Sequence, residues 1–136
     1  MSFREGIDDQ GTYYQINEVA GTTPIIFIHG VGLDHSIWSP QVDFFKNSTT
    51  IIYDLIGHGL STCTIKELDF NDFSKQIDGL LQILRIQKVI VVGFSLGGLI
   101  AAHYSSTRRN HVAKVILFGT IFGRTEEQKR NAAERF

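Results

Sequence analysis

The run Val89-Ile90-Val91-Val92-Gly93-Phe94-Ser95-Leu96-Gly97-Gly98-Leu99-Ile100-Ala101-Ala102 constrains this chain more than any other stretch. Its β-branched opening suits a strand covered on both faces. A helix follows at once, with Ser95 at the apex of the turn between them. Gly93 and Gly97 flank the serine at two positions to either side, giving G-x-S-x-G. A serine at such a tip is held in a strained backbone conformation, and bulky neighbours at those positions would clash. The turn lifts the Ser95 Oγ clear of the sheet and places it at a helix N-terminus. There the free N–H groups, that of Leu96 first, can stabilise a developing oxyanion.

Composition narrows the setting. A chain of 136 residues is the size of one ordinary domain, and 43% hydrophobic with 20% charged residues is a globular balance. A net charge of −1 gives no electrostatic case for nucleic acid or for an anionic membrane. The single cysteine, Cys63, excludes an intrachain disulfide framework and suits a reducing compartment. The stretch Met1 to Asp9 carries no apolar segment of a secretory signal. Val89 to Ala102 is shorter than the ~18 apolar residues that span a bilayer. These features together predict a cytoplasmic protein with no membrane or nucleic-acid partner.

Read in order, the chain alternates strand and helix. Phe3–Ile7 and Thr12–Asn17 around Asp8-Asp9-Gln10-Gly11 predict a hairpin. Ile25–Ile28 is a strand with no polar face, and His29-Gly30-Val31-Gly32 follows it directly. Leu33 to Trp38 reads as loop; Ser39-Pro40 reads as N-cap and first helical residue of a helix to about Lys46. Thr50–Tyr53 is the next strand, leading into Asp54-Leu55-Ile56-Gly57-His58-Gly59-Leu60-Ser61. Phe70, Phe73, Ile77, Leu80, Leu81 and Leu84 mark one face of a helix capped by Asp69 or Asn71. Val112–Phe118 is a sixth strand. Thr125-Glu126-Glu127-Gln128 is a capping box, opening a helix to Phe136.

Two other chemistries are weighed and set aside. Gly30-Val31-Gly32 opens like a dinucleotide fingerprint, but His35 stands where its third glycine belongs. Asp54, His58 and Cys63 could suggest a metal, yet they sit on a loop with too few ligands for a closed site. No metal and no cofactor are expected.

The three motifs, in this order along the chain, resemble the first half of an α/β-hydrolase of the serine esterase and enol-lactone hydrolase type. The resemblance implies an α/β-hydrolase fold, a mostly parallel sheet flanked by helices, cut off after the sixth strand. Residues 1–136 would be the N-terminal portion of the core domain, with about 120–136 opening the cap or lid. Ser95 would be the nucleophile, and the N–H groups of Leu96 and Val31 the oxyanion hole. His29, Gly30, Gly32, Gly93 and Gly97 would support them. Ile56 replaces the proline usual in the family's D-x-P-G-H-G segment. The substrate would be a small carboxylic ester or lactone.

The family's acid and histidine come from later loops, so the isolated chain is expected to be nearly inactive. His103 follows Ser95 by eight positions on one helix, about 12 Å along its axis, and cannot reach Oγ. His29 belongs to the oxyanion turn. A complementary C-terminal fragment, or self-association through the exposed edge of the sheet, is the expected protein partner. The alternative from another class is a non-catalytic hydrolase-fold protein that binds a ligand or partner.

Overall fold

A computed structural model describes residues 2–121 and 123–133. Six strands, β1 (Ser2–Ile7), β2 (Tyr13–Glu18), β3 (Ile25–Ile28), β4 (Thr50–Tyr53), β5 (Val89–Phe94) and β6 (Val112–Phe118), form one sheet in the order β1-β2-β4-β3-β5-β6. The hairpin β1–β2 and the β2–β4 pair are antiparallel. The remaining pairs, β3–β4, β3–β5 and β5–β6, are parallel. Four helices accompany them: α1 (Ser39–Phe44), α2 (Phe70–Ile83), α3 (Leu96–Thr107) and α4 (Glu126–Ala133).

The continuous apolar runs of β3 and β4 are buried at every position. Alternate residues feed two cores, as a period-2 strand requires. Ile26, Ile28, Ile51 and Val91 meet Ile77, Leu80 and Leu81 of α2 and Ile100, Ala101 and Tyr104 of α3. On the other face Ile25, Phe27, Ile52 and Val92 pack with Trp38. The helices linking β3 to β4 and β4 to β5 therefore lie on opposite faces. The strand order reverses between β3 and β5, and ligands of α/β sheets bind beyond the carboxyl ends of the strands at such a switch point.

Local structure departs from the sequence reading in three places. Ser39 is not an N-cap. The 3-10 turn His35–Trp38 precedes α1, and the Asp34 side chain caps it by accepting from the Ser36 N–H. The short polar side chain of Asp34 caps the helical turn five residues earlier than the Ser-Pro signal suggests. α1 ends at Phe44 rather than Lys46. Of the α2 face, Phe70 stays 39% exposed. Asp69 caps α2 through a capping box with Asp72. The box Thr125–Gln128 forms as read, with the Gln128 N–H donating to Thr125 Oγ1 at 3.1 Å and the Thr125 N–H to Gln128 Oε1 at 2.8 Å. The predicted end of that helix, 134–136, lies outside the described residues.

β6 stands apart. It is one of the two edge strands, and Val115, Ile116, Leu117 and Phe118 are 42%, 50%, 36% and 43% exposed, so apolar side chains meet solvent on both faces.

The two faces of α2 give a direct test of this packing. Ile77→Ala removes a fully buried side chain and should cost about 2–5 kcal/mol in urea unfolding. Ile83→Ala, at a position 45% exposed, should cost under about 0.5 kcal/mol. Equal losses would mean that α2 does not pack through the Ile77 face.

Candidate active site

Ser95 joins β5 to α3 with φ 57° and ψ −120°. Only Arg85 shares a positive φ among the described non-glycine residues. Such a conformation costs about 1–3 kcal/mol and persists only where its surroundings impose it. They do so through backbone contact. A Cβ at Gly97 would run into the carbonyls of Ile28 and His29, and one at Gly93 into the Gly97 carbonyl. The N-terminus of α3 thus lies directly on the ends of β3 and β5, with no side chain between. These backbone contacts leave room for glycine alone at both positions.

The turn after β3 closes on the serine. A Cβ at Gly30 would stand 3.2 Å from the Ser95 Cβ. The Leu33 N–H donates to the Gly30 carbonyl at 3.3 Å, closing a four-residue turn whose third member, Gly32, has φ 74°. That φ explains the second glycine of G-x-G by turn geometry. Val31 projects from the tip, 44% exposed. Sequence order separates Gly30 and Ser95 widely; the β3–β5 pairing, Ile28 opposite Gly93, brings them together.

His29 is fully buried. Its Nδ1 lies 2.7 Å from the Gly30 carbonyl, and the Leu55 N–H donates to its Nε2 at 3.0 Å. A carbonyl can only accept and an amide can only donate, so the ring is neutral with its proton on Nδ1. Burial holds its pKa below the ordinary histidine value. With both nitrogens engaged it is not available as a base.

Of the other histidines, three use Nδ1 in a hydrogen bond, while the buried Nε2 of His103 has no partner among the described residues. His58 Nδ1 donates to the Ile56 carbonyl at 3.0 Å. His111 Nδ1 is 3.1 Å from the Gln87 carbonyl. His103 sits on α3 with its ring 5.6 Å from that of Phe70. His35 Nδ1 meets Asp54 Oδ1 at 2.8 Å. None of these bonds reaches Ser95.

Asp54, the first residue of D-x-x-G-H-G, is fully buried. It accepts from the His35 N–H at 2.7 Å and the Leu60 N–H at 2.9 Å as well as from the ring. The carboxylate therefore ties the segment after β3 to the loop after β4. The trio Asp54, His58 and Cys63 does not assemble. Asp34, His35 and Asp54 do cluster, but Asp34 Oδ1 caps Ser36 and the other two bond each other. Sequence reading missed His35; nothing in a lone histidine after G-x-G-x-D signals a buried acceptor nineteen residues on.

An open cleft of about 550 Å³ runs between Gln10, Thr12, Thr62, Ile65 and Lys75. Neither Ser95 nor the His29–Gly32 turn lines it, so this cleft is not the candidate site.

The buried neutral ring makes stability sensitive to acid. Below about pH 6.5, the ordinary histidine value, the unfolded chain binds a proton at residue 29 that the folded chain refuses. Stability should therefore fall from pH 7.5 to 5.5, by at most about 1.4 kcal/mol per pH unit. Urea unfolding at both values, repeated on His29→Asn, measures it. Equal pH dependence in the variant would assign the effect elsewhere.

The alpha/beta hydrolase fold family profile matches residues 23–136. The chain is 30% identical over 113 residues to (E)-2-((N-methylformamido)methylene)succinate hydrolase of Acinetobacter baylyi, covering 82% of this chain and 43% of that protein. It is 32% identical over 111 residues to 3-oxoadipate enol-lactonase 1 of the same organism, covering 74% and 41%. A solved structure from a study of carboxylesterases of the thaumarchaeon Nitrososphaera gargenis superimposes with a TM-score of 0.85 at 22% identity, covering 97% of this chain and 51% of that one. The chain thus spans under half the length of the two curated relatives. A profile match over most of the sequence, together with the strand order and the strained serine, establishes that this chain belongs to the alpha/beta hydrolase fold family.

Proposed function

We propose that Ser95 is the nucleophile of a hydrolase acting on a carboxylic ester or lactone. The observation that carries this reading is the Ser95 backbone, φ 57° and ψ −120° at a helix N-terminus, against the turn after β3. Oγ attacks the carbonyl carbon while a base takes its proton. The carbonyl oxygen becomes an oxyanion facing the N–H groups of Leu96 and Val31, which carry no charge to neutralise. Collapse expels the alcohol or ring oxygen, reprotonated by the same base, and leaves an acyl-Ser95 ester that water cleaves. His29, Gly30, Gly32, Gly93 and Gly97 shape the two turns.

The base and its orienting acid belong to the part of the fold that the relatives have and this chain does not span. Among the described residues, no hydrogen bond of His29, His35, His58 or His111 runs to Ser95, which supports that assignment. Residues from about 120 onward would open the cap. The exposed apolar β6 would pair with a strand of that remaining part or with a second copy, because an unpaired edge of this kind is an association site.

Two outcomes follow. The 136-residue chain alone should hydrolyse p-nitrophenyl acetate near background, since a serine hydroxyl without a base is a poor nucleophile. Serine hydrolases with broken triads keep at most roughly 10³–10⁴-fold acceleration over water. Adding a C-terminal part that carries the acid and histidine should restore turnover, and Ser95→Ala should abolish it. Esterase-level turnover by the chain alone would mean a base within it. Tight ligand binding by the completed fold, with no fluorophosphonate label on Ser95, would favour a binding protein. Sedimentation should show the isolated chain self-associated; a monomer at high concentration would rule out an adhesive β6 edge.

A further inference from the structure

Two groups from one corner of the fold hold the strained serine. The Ser95 N–H donates to the Phe118 carbonyl at 3.2 Å, at the end of β6. The Thr120 hydroxyl lies 3.1 Å from the Ser95 carbonyl, to which it donates, and 3.3 Å from the Phe118 carbonyl. The Ser95 carbonyl also accepts the Gly98 N–H at 2.9 Å and the Leu99 N–H at 3.3 Å. The N–H belongs to the peptide plane that φ turns, and the carbonyl to the plane that ψ turns. Both torsions of Ser95 are therefore gripped from Phe118–Thr120.

Gly98 makes the grip possible. A Cβ there would occupy the space of Thr120 Oγ1. The second glycine of Gly97-Gly98 thus has a reason that the two-residue spacing around Ser95 does not supply. Glycine at 97 admits the backbone of β3, and glycine at 98 admits the threonine hydroxyl.

We infer that Thr120 is a positioning residue for Ser95, clamping the nucleophile's carbonyl so that the turn keeps its reactive shape. The inference rests on the reading of Ser95 as nucleophile. It adds that the residue setting its geometry comes from beyond β6 rather than from β5 or α3. Thr120 does not touch the reacting atoms; it acts through the Ser95 main chain.

Amide hydrogen exchange on the 136-residue chain tests this without any chemistry at Ser95. Thr120→Val keeps the shape and removes the hydroxyl; Thr120→Ser keeps the hydroxyl. In Thr120→Val the Ser95 amide should exchange roughly three- to tenfold faster, the range expected for one lost hydrogen bond. Val91 and Val92 should stay unchanged, and Thr120→Ser should return Ser95 to the wild-type rate. Unchanged exchange at Ser95 in Thr120→Val would overturn the clamp. So would an equal rise at Val91 and Val92, or failure of Thr120→Ser to rescue, since either would mean a general loss of stability or packing. Failure of Ser95 to take a fluorophosphonate label in the completed fold would refute the nucleophile and leave the exchange result standing, so the two failures are distinguishable.

Discussion

The structure depends on a place where a helix meets a sheet with no side chains between them. The first turn of α3 rests on the carbonyls of Ile28 and His29, and Gly93 leaves room for Gly97. Any Cβ there would force backbone apart, and crowding of that kind typically costs about 1–3 kcal/mol. The contact has a chemical consequence. It puts the free N–H groups of a helix terminus level with the turn that leaves β3, where Gly30 lies against Ser95. A helix held off by even a methyl group would deliver its N-terminus elsewhere.

Around that contact, buried polar groups fix the loop ends. His29 links the turn after β3 to Leu55 beyond β4. Asp54 holds His35 and Leu60. Gln76 of α2 donates to Thr12 Oγ1 and to the Asp54 carbonyl, each at 3.1 Å, and accepts from the Ile56 N–H. Each of these groups would cost about 1–3 kcal/mol if buried without a partner. Their geometry is thereby more tightly specified than an apolar contact would make it. The family's usual proline is absent at Ile56, and the bond that the Ile56 N–H donates to Gln76 Oε1 is one that proline, with no N–H, could not make.

Much of this was legible in the chain. Strands buried on both faces announce themselves as unbroken β-branched runs, and the glycines around Ser95 state a steric requirement that only a strand-to-helix turn has. The α2 face and the Thr125 capping box are local patterns, and they appear as read except that Phe70 stays exposed. What the sequence hid is long-range. The partner of Asp54 is His35, not His58, because the choice depends on where the loop after β3 folds back. Asp34, not Ser39, starts the helical turn. Thr120 carries no motif at all, and its meaning exists only because β6 lies beside β5.

That adjacency links the edge of the sheet to the serine. The strand whose apolar side chains meet solvent on both faces is the one whose last carbonyl takes the Ser95 N–H. Its Phe118 ring also contacts Trp38 edge-on at 5.7 Å and Phe94 at 5.7 Å, so the end of β6 is held by the same aromatic group that covers the second face of the sheet. A strand bonded on one side only opens more readily than one bonded on both, because fewer bonds must break together. Whatever pairs with the free edge of β6 therefore also steadies the carbonyl that grips Ser95. On the reading of Ser95 as a nucleophile, completing the sheet does more than supply a base: it tightens the turn on which the nucleophile sits.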